Sequence, residues 1–492
     1  MFAAARRLIR STALLATLTC AAMLPANGRA AAALALRLAP CTLPGVSGPA
    51  RCGTLDVAEN RDRPHARRLP LNVVVIPARN GKGLSDPVLF LSGGPGQAAT
   101  RDAAWVSEIL AGINAERDLL LVDQRGTGGS APLACPLVDD TNTAANLRDI
   151  FPPTAVGRCL RTLVARADLT QYSQRHFAQD IEAVRVALGY SGLNLFGFSY
   201  GTRAAQVYMR TYPKSARTAL LGSMAPIDAQ VLMEFSGAAE AALNATFDAC
   251  AADAACRAAF PALRDEFAEL LVRLDGGKVE LTAPGSTERV TLTRGRFAER
   301  LRGMLYSTDN AAALPWVLHQ AHGGNWQPFV DDLFEFTRAM DAQLSMGLFF
   351  SITCSEDVAF LREPDILARV TPSTFGDGRV RSQQAACAQW PRYRVPEGYR
   401  DPLRTDVPTL LVSGEFDPAT PAVLAARAAS GYARHAALML RGQGHSGWSD
   451  CVAERYARML RQGSVEGIVD DCPAKARPPF KLDADPPAVA SQ

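Results

Sequence analysis

The chain has 492 residues, 48% of them hydrophobic and 21% charged, with a formal net charge of +3. That is the composition of an ordinary globular protein with ample material for a large core, built as one elaborated domain or as a core with an inserted one. Four arginines and no acids fall within residues 1–30, so removing them takes the formal charge from +3 to −1, and no basic surface for nucleic acid or an anionic membrane is left.

The first predicted element is an export signal. Arg6, Arg7 and Arg10 precede the apolar run Ala13–Met23, and small residues follow around Gly28-Arg29-Ala30-Ala31, the order of a secretory signal peptide. The run is too short for a membrane span. Residues 1–30 are therefore expected to be removed, leaving an exported protein, periplasmic or extracellular, with no stable membrane insertion. Cysteine usage agrees. Beyond Cys20 the cysteines fall into successive close pairs, and the simplest pairing is Cys41–Cys52, Cys135–Cys159, Cys250–Cys256, Cys354–Cys387 and Cys451–Cys472. With no Cys-x-x-Cys and no interleaved histidine, a zinc site is not expected.

Strands are predicted at Leu71–Pro77, Pro87–Ser92 and Asp118–Asp123, each a short apolar run. The second ends in Gly93-Gly94-Pro95-Gly96 and the third in the turn-rich Arg125 to Ser130. A helix over Gln179–Leu188 leads into a strand at Leu193–Phe196, then Gly197-Phe198-Ser199-Tyr200-Gly201, a helix from Thr202 to Tyr212 and a strand at Ala219–Gly222. Short continuous apolar strands alternating with helices predict a mostly parallel sheet covered on both faces. From Pro226 to Tyr399 the pattern turns helical, broken by a hairpin at Val279–Leu292, before strands return at Val407–Ser413 and Ala436–Leu440. The expected division is a signal (1–30), a first core part (40–225), a helical cap (226–399), a second core part (400–475) and an extended Pro-rich tail (476–492).

The chemistry centres on Ser199. A Gly-x-Ser-x-Gly turn between a strand and a helix exposes a serine on a strained backbone. A hydroxyl attacks only when a base takes its proton and a third group orients that base. His445, in a Gly-rich loop after the last strand, is the expected base, ahead of His435 at the strand's other end. His65 and His176 read as structural, and His319 and His322 as a solvated helix face. Asp417, in the Gly- and Pro-rich turn after Val407–Ser413, is the expected acid, with Glu415 its competitor. The chain order Ser…Asp…His is that of the α/β-hydrolase fold. Backbone N–H groups of Tyr200 and of Gly94, with Gly93 the near alternative, are the expected oxyanion donors. No metal or cofactor is required.

The motifs Cys52-Gly53-Thr54-Leu55-Asp56-Val57, Gly93-Gly94-Pro95-Gly96, Asp123-Gln124-Arg125-Gly126-Thr127-Gly128, Gly197 to Thr202, Gly414 to Pro421 and Gly444-His445-Ser446 together resemble the prolyl and tripeptidyl aminopeptidase family of serine α/β-hydrolases, with its TAP-like C-terminal region. Ser92, where many relatives have His, and Thr202, in place of a second Gly, depart from that pattern. The resemblance implies release of short N-terminal residues or peptides through an acyl-enzyme on Ser199, with a short peptide or amide as substrate. It also implies an acidic anchor for the substrate ammonium, for which Glu356, with Asp357 second, is the expectation. A carboxylesterase on the same triad and a catalytically silent binding relative are the alternatives.

Overall fold

The computed structural model describes residues 36–138 and 143–483. The export signal expected at 1–30 and the last part of the tail, 484–492, lie outside the described residues.

Among the described residues, nine strands form one sheet: β1 (Ala39–Cys41), β2 (Ala50–Ala58), β3 (Arg68–Ile76), β4 (Val88–Leu91), β5 (Leu119–Val122), β6 (Leu193–Phe198), β7 (Ala216–Gly222), β10 (Thr409–Gly414) and β11 (His435–Leu440). A separate hairpin, β8 (Glu280–Thr282) with β9 (Arg289–Thr291), lies between β7 and β10. The order across the sheet is β1-β2-β3-β5-β4-β6-β7-β10-β11. β1, β2 and β3 pair antiparallel, as does β3 with β5, and every pair from β5 onward is parallel. The central strands are apolar throughout because both faces are covered: all four residues of β4 and of β5 are buried.

β1 and β2 are additions to the predicted set. β2 alternates buried and exposed positions along much of its length and carries polar and small residues, so it has no continuous apolar run to give it away. The Cys41–Cys52 bridge ties it to β1. All five expected disulfides are present.

The helix before the serine strand runs Gln174–Leu188, starting earlier than the pattern predicts. Ser173 caps it by accepting the His176 N–H, and Gly189 at φ +74° ends it. Between β7 and β10 the helices divide. Those from Ala239 to Phe334 pack on one another around Phe297, Phe329 and Phe334 as a core of their own. The helix Met346–Glu356 instead joins the main core, with every residue buried, and Cys354–Cys387 staples it to the helix Gly378–Cys387. After Cys472 the described chain has neither helix nor strand, yet it is packed: Lys475 N–H donates to Arg441 C=O, Lys481 N–H to Ala312 C=O, and Phe480 sits against the cap's apolar cluster.

No helix among the described residues is long and apolar enough to cross a membrane.

Candidate active site

Parallel strands put their C-terminal ends along one edge, and four loops meet there: those after β4, β6, β10 and β11. Ser199 follows β6 at φ +53°, a left-handed conformation that costs a non-glycine residue energy. Its neighbours explain why both flanking positions are glycine. A Cβ at Gly201 would stand 1.9 Å from the Leu91 carbonyl oxygen, and one at Gly197 would stand 2.8 Å from that of Gly201. The turn is pinned by the Ser199 N–H on Gly222 C=O at 2.8 Å. Thr202, the departure noted above, donates its hydroxyl to Ser199 C=O at 2.5 Å and accepts the Ala225 N–H at 2.9 Å.

The loop after β11 crosses the end of β7, where Gly447 packs on Gly222, and brings His445 against Phe198, the residue before the serine (ring centroids 5.2 Å). His445 Nδ1 lies 2.9 and 2.8 Å from the two oxygens of Asp417. Asp417 is fully enclosed. Its Oδ1 accepts the N–H groups of Ala419 and Thr420, and its Oδ2 accepts the hydroxyls of Thr420 and Ser223. Burial alone would raise its pKa. The adjacent His445, its hydrogen bond and the Thr420 and Ala419 amides outweigh that and hold it at about 2. An ionised Asp417 accepts from Nδ1–H, which leaves Nε2 as the free base of the ring. The Ser199 hydroxyl and the imidazole are not hydrogen-bonded here; such bonds are often long before substrate arrives.

Gly93 lies against the nucleophile, since a Cβ there would be 3.3 Å from Ser199 Cβ, and Gly94 has φ +107°. Among the described residues the N–H groups of Tyr200 and Gly94 have no hydrogen-bond acceptor. The serine beside them is half-buried, and N–H groups without an acceptor can stabilise a developing negative oxygen.

Comparison with known proteins agrees with this fold. The alpha/beta hydrolase fold family matches residues 86–297, and the TAP-like protein family matches 371–472. The chain has the α/β-hydrolase fold and a segment that matches the TAP-like family. It is similar to the serine protease Hip1 of Mycobacterium tuberculosis, 26% identical over 76% of this chain and 78% of that protein. It is also similar to the tripeptidyl aminopeptidase of Streptomyces lividans, 28% identical over 36% of this chain and 35% of that protein. Among solved structures, the proline iminopeptidase of Mycobacterium smegmatis aligns over 83% of this chain and 98% of its own, at 17% identity and a TM-score of 0.43.

Other candidates in this α/β-hydrolase lie elsewhere. Glu415 accepts the Gly442 N–H at 2.7 Å and is not bonded to His445. His435 Nδ1 is on Tyr432 C=O at the far end of β11. His319 and His322 pair with Glu266 and Glu269. His176 is bonded to Ser173, and burial lowers its pKa to about 4.

Glu356 and Asp357 sit behind Tyr200 and are bonded from within the fold. Glu356 accepts the Gln174 N–H at 2.9 Å and the Tyr399 hydroxyl at 2.6 Å, and Asp357 pairs with Arg203 at 2.6 Å. Both are buried. Burial pushes the Glu356 carboxyl up to about 7, against the pull of Tyr399, the Gln174 amide and Arg203. These contacts brace the nucleophile turn from within the fold.

Three residues that the motifs did not single out complete the site. Thr420 bonds Asp417 and lies 3.3 Å from His445 Nδ1. Ser223, at φ +49°, bonds Asp417 from the end of β7. Tyr306, in the cap, takes the His445 N–H on its carbonyl at 2.7 Å and sets its ring edge-on to the imidazole at 4.9 Å. Thr420 was readable as a hydroxyl in the acid loop; the other two come from distant segments.

Proposed function

We propose that this hydrolase is an exported serine peptidase that releases short N-terminal residues or peptides. The observation that carries the reading is the His445–Asp417 pair meeting the strained Ser199 turn beside two unpartnered N–H groups. In this reading Ser199 Oγ attacks the substrate carbonyl and His445 Nε2 takes its proton. Asp417 holds the tautomer and stabilises the imidazolium. The Tyr200 and Gly94 amides, with Gly93 packed behind, receive the oxyanion. His445 then protonates the leaving amine, and water repeats the sequence on the acyl-enzyme.

Similarity to the Hip1 serine protease over most of the chain supports peptide over ester. Five disulfides support an oxidising compartment, and hence export. A carboxylesterase on the same triad is the second reading, favoured by the burial of Glu356 and Asp357 and by their bonds to Gln174, Tyr399 and Arg203. Turnover of free-N-terminus tripeptide p-nitroanilides against p-nitrophenyl butyrate decides between them. The peptidase reading expects the free-N-terminus peptides to be cleaved with a higher kcat/KM than the same peptides with a blocked N-terminus, with all activity lost in Ser199→Ala. Ester turnover alone would replace it with the second reading.

A further inference from the structure

The cap wall over His445 carries charge that acyl transfer does not use. From Tyr306 the wall continues to Arg302, whose Nη1 donates to the Tyr306 hydroxyl at 2.7 Å. Arg302 Nε and Nη2 hold the two oxygens of Glu299 at 3.1 and 2.7 Å. Glu299 Oε1 also lies 3.3 Å from Arg379 Nε. The opposite wall begins at the oxyanion loop. Leu344 comes within 3.2 Å of where a Cβ at Gly94 would stand, and Ser345 N–H donates to Gly96 C=O at 2.9 Å. One helical turn on, Phe349 faces Arg379, its ring centroid 5.8 Å from the guanidinium.

From Tyr306 on one side and from Ser345 and Phe349 on the other, these contacts meet at the Arg302–Glu299–Arg379 group, with Phe235 beside both guanidiniums at 4.3 and 6.0 Å. Two cations share one carboxylate, so the group holds a net positive charge among the rings of Phe151, Phe235 and Phe349. Arg302 is fully used. Arg379 is not: Nη1 donates to Gln383 Oε1 at 2.7 Å, Nε is buried without a hydrogen bond, and Nη2 has no acceptor among the described residues. A guanidinium held this way lacks its planar partner, and a carboxylate supplies one through paired hydrogen bonds.

We propose that Arg379, backed by Arg302, binds a carboxylate on the acyl part of the substrate, so that the enzyme selects peptides with an acidic side chain in the segment it releases. This rests on the peptidase reading above. The test uses free-N-terminus tripeptide p-nitroanilides that differ only in Glu against Gln at one position. The wild-type protein is expected to favour Glu at one position by about 10-fold or more in kcat/KM, with the preference shrinking as salt is raised. Arg379→Gln should bring that ratio close to one, and Arg379→Lys should retain part of it. Equal or inverse Glu/Gln ratios at all three positions in the wild type overturn the proposal, while cleavage of those substrates keeps the peptidase reading. If no peptide is cleaved, p-nitrophenyl hemisuccinate against its methyl ester makes the same comparison. A preference for the anionic ester then keeps the carboxylate site and drops the peptidase reading, and no preference drops both. Should neither ester turn over, the rates at which a carboxylate-bearing and a neutral fluorophosphonate label Ser199 decide: faster anionic labelling upholds the site, equal rates overturn it.

Discussion

Thr420 acts at the point where orientation of the base is decided. Its hydroxyl donates to Asp417 and stands 3.3 Å from His445 Nδ1. A hydrogen bond to a charged group contributes about 1.5–3 kcal/mol. Thr420→Val should therefore lower kcat by about 10-fold or more, with a smaller change in KM and an altered pH–rate profile; an unchanged kcat would remove Thr420 from the positioning of the pair. Glu356 gives a prediction in stability. Its folded pKa of about 7 lies above the 4.5 of a free glutamate, so the native state holds the proton more tightly than the unfolded chain. Stability is then full below about pH 4.5 and falls as the pH rises through 7, by on the order of 3 kcal/mol. Glu356→Gln has no charge to bury, and its amide still accepts from Gln174 and donates to Tyr399. Thermal unfolding between pH 5 and 9 should show a flatter pH dependence for the variant, and parallel curves would contradict this. At this scale Ser199, Asp417 and His445 were legible because each follows a strand in a glycine-marked loop. The engagement of Glu356 was not, because Gln174 and Tyr399 reach it only through the fold.

The serine turn is an element built around a close approach. Gly201 opens the helix Gly201–Thr211 directly over β4, and a methyl group there would overlap the Leu91 carbonyl, which is backbone and held in the sheet. Gly201→Ala is expected to cost more than about 3 kcal/mol or to prevent folding, read as loss of soluble protein or of the unfolding midpoint. A stable, active variant would mean that β4 and the helix are more loosely joined than described. Elements were readable where burial is one-sided or complete over a short run: β4, β5, β6 and β10 are continuous apolar segments between turns. The helix Met346–Glu356 was harder to place. Buried on every face, it offers no polar stripe to distinguish a cap helix from one in the main core.

Across the whole molecule, the C-terminal segment links the two halves of the site. Arg477 lies over Phe416, next to Asp417, at 5.2 Å; Lys475 pairs with Asp309 at 2.8 Å; and Lys481 covers Trp316 at 3.7 Å. The Pro-rich composition predicts an extended tail, but composition could not reveal what its described part, up to residue 483, lies against. Ending the chain after Cys472 should lower the melting temperature by about 2–4 °C and speed proteolysis between Tyr306 and Trp316. No change in either would show that the cap holds to the core without it. The central claim is that Ser199 forms an acyl-enzyme with a free-N-terminus peptide amide. Intact-protein and peptide mass spectrometry of a turnover quenched in acid tests it most directly. The account predicts an adduct equal to the released acyl segment on the peptide containing Ser199, absent in Ser199→Ala. An adduct elsewhere, or peptide turnover that survives Ser199→Ala, would contradict it.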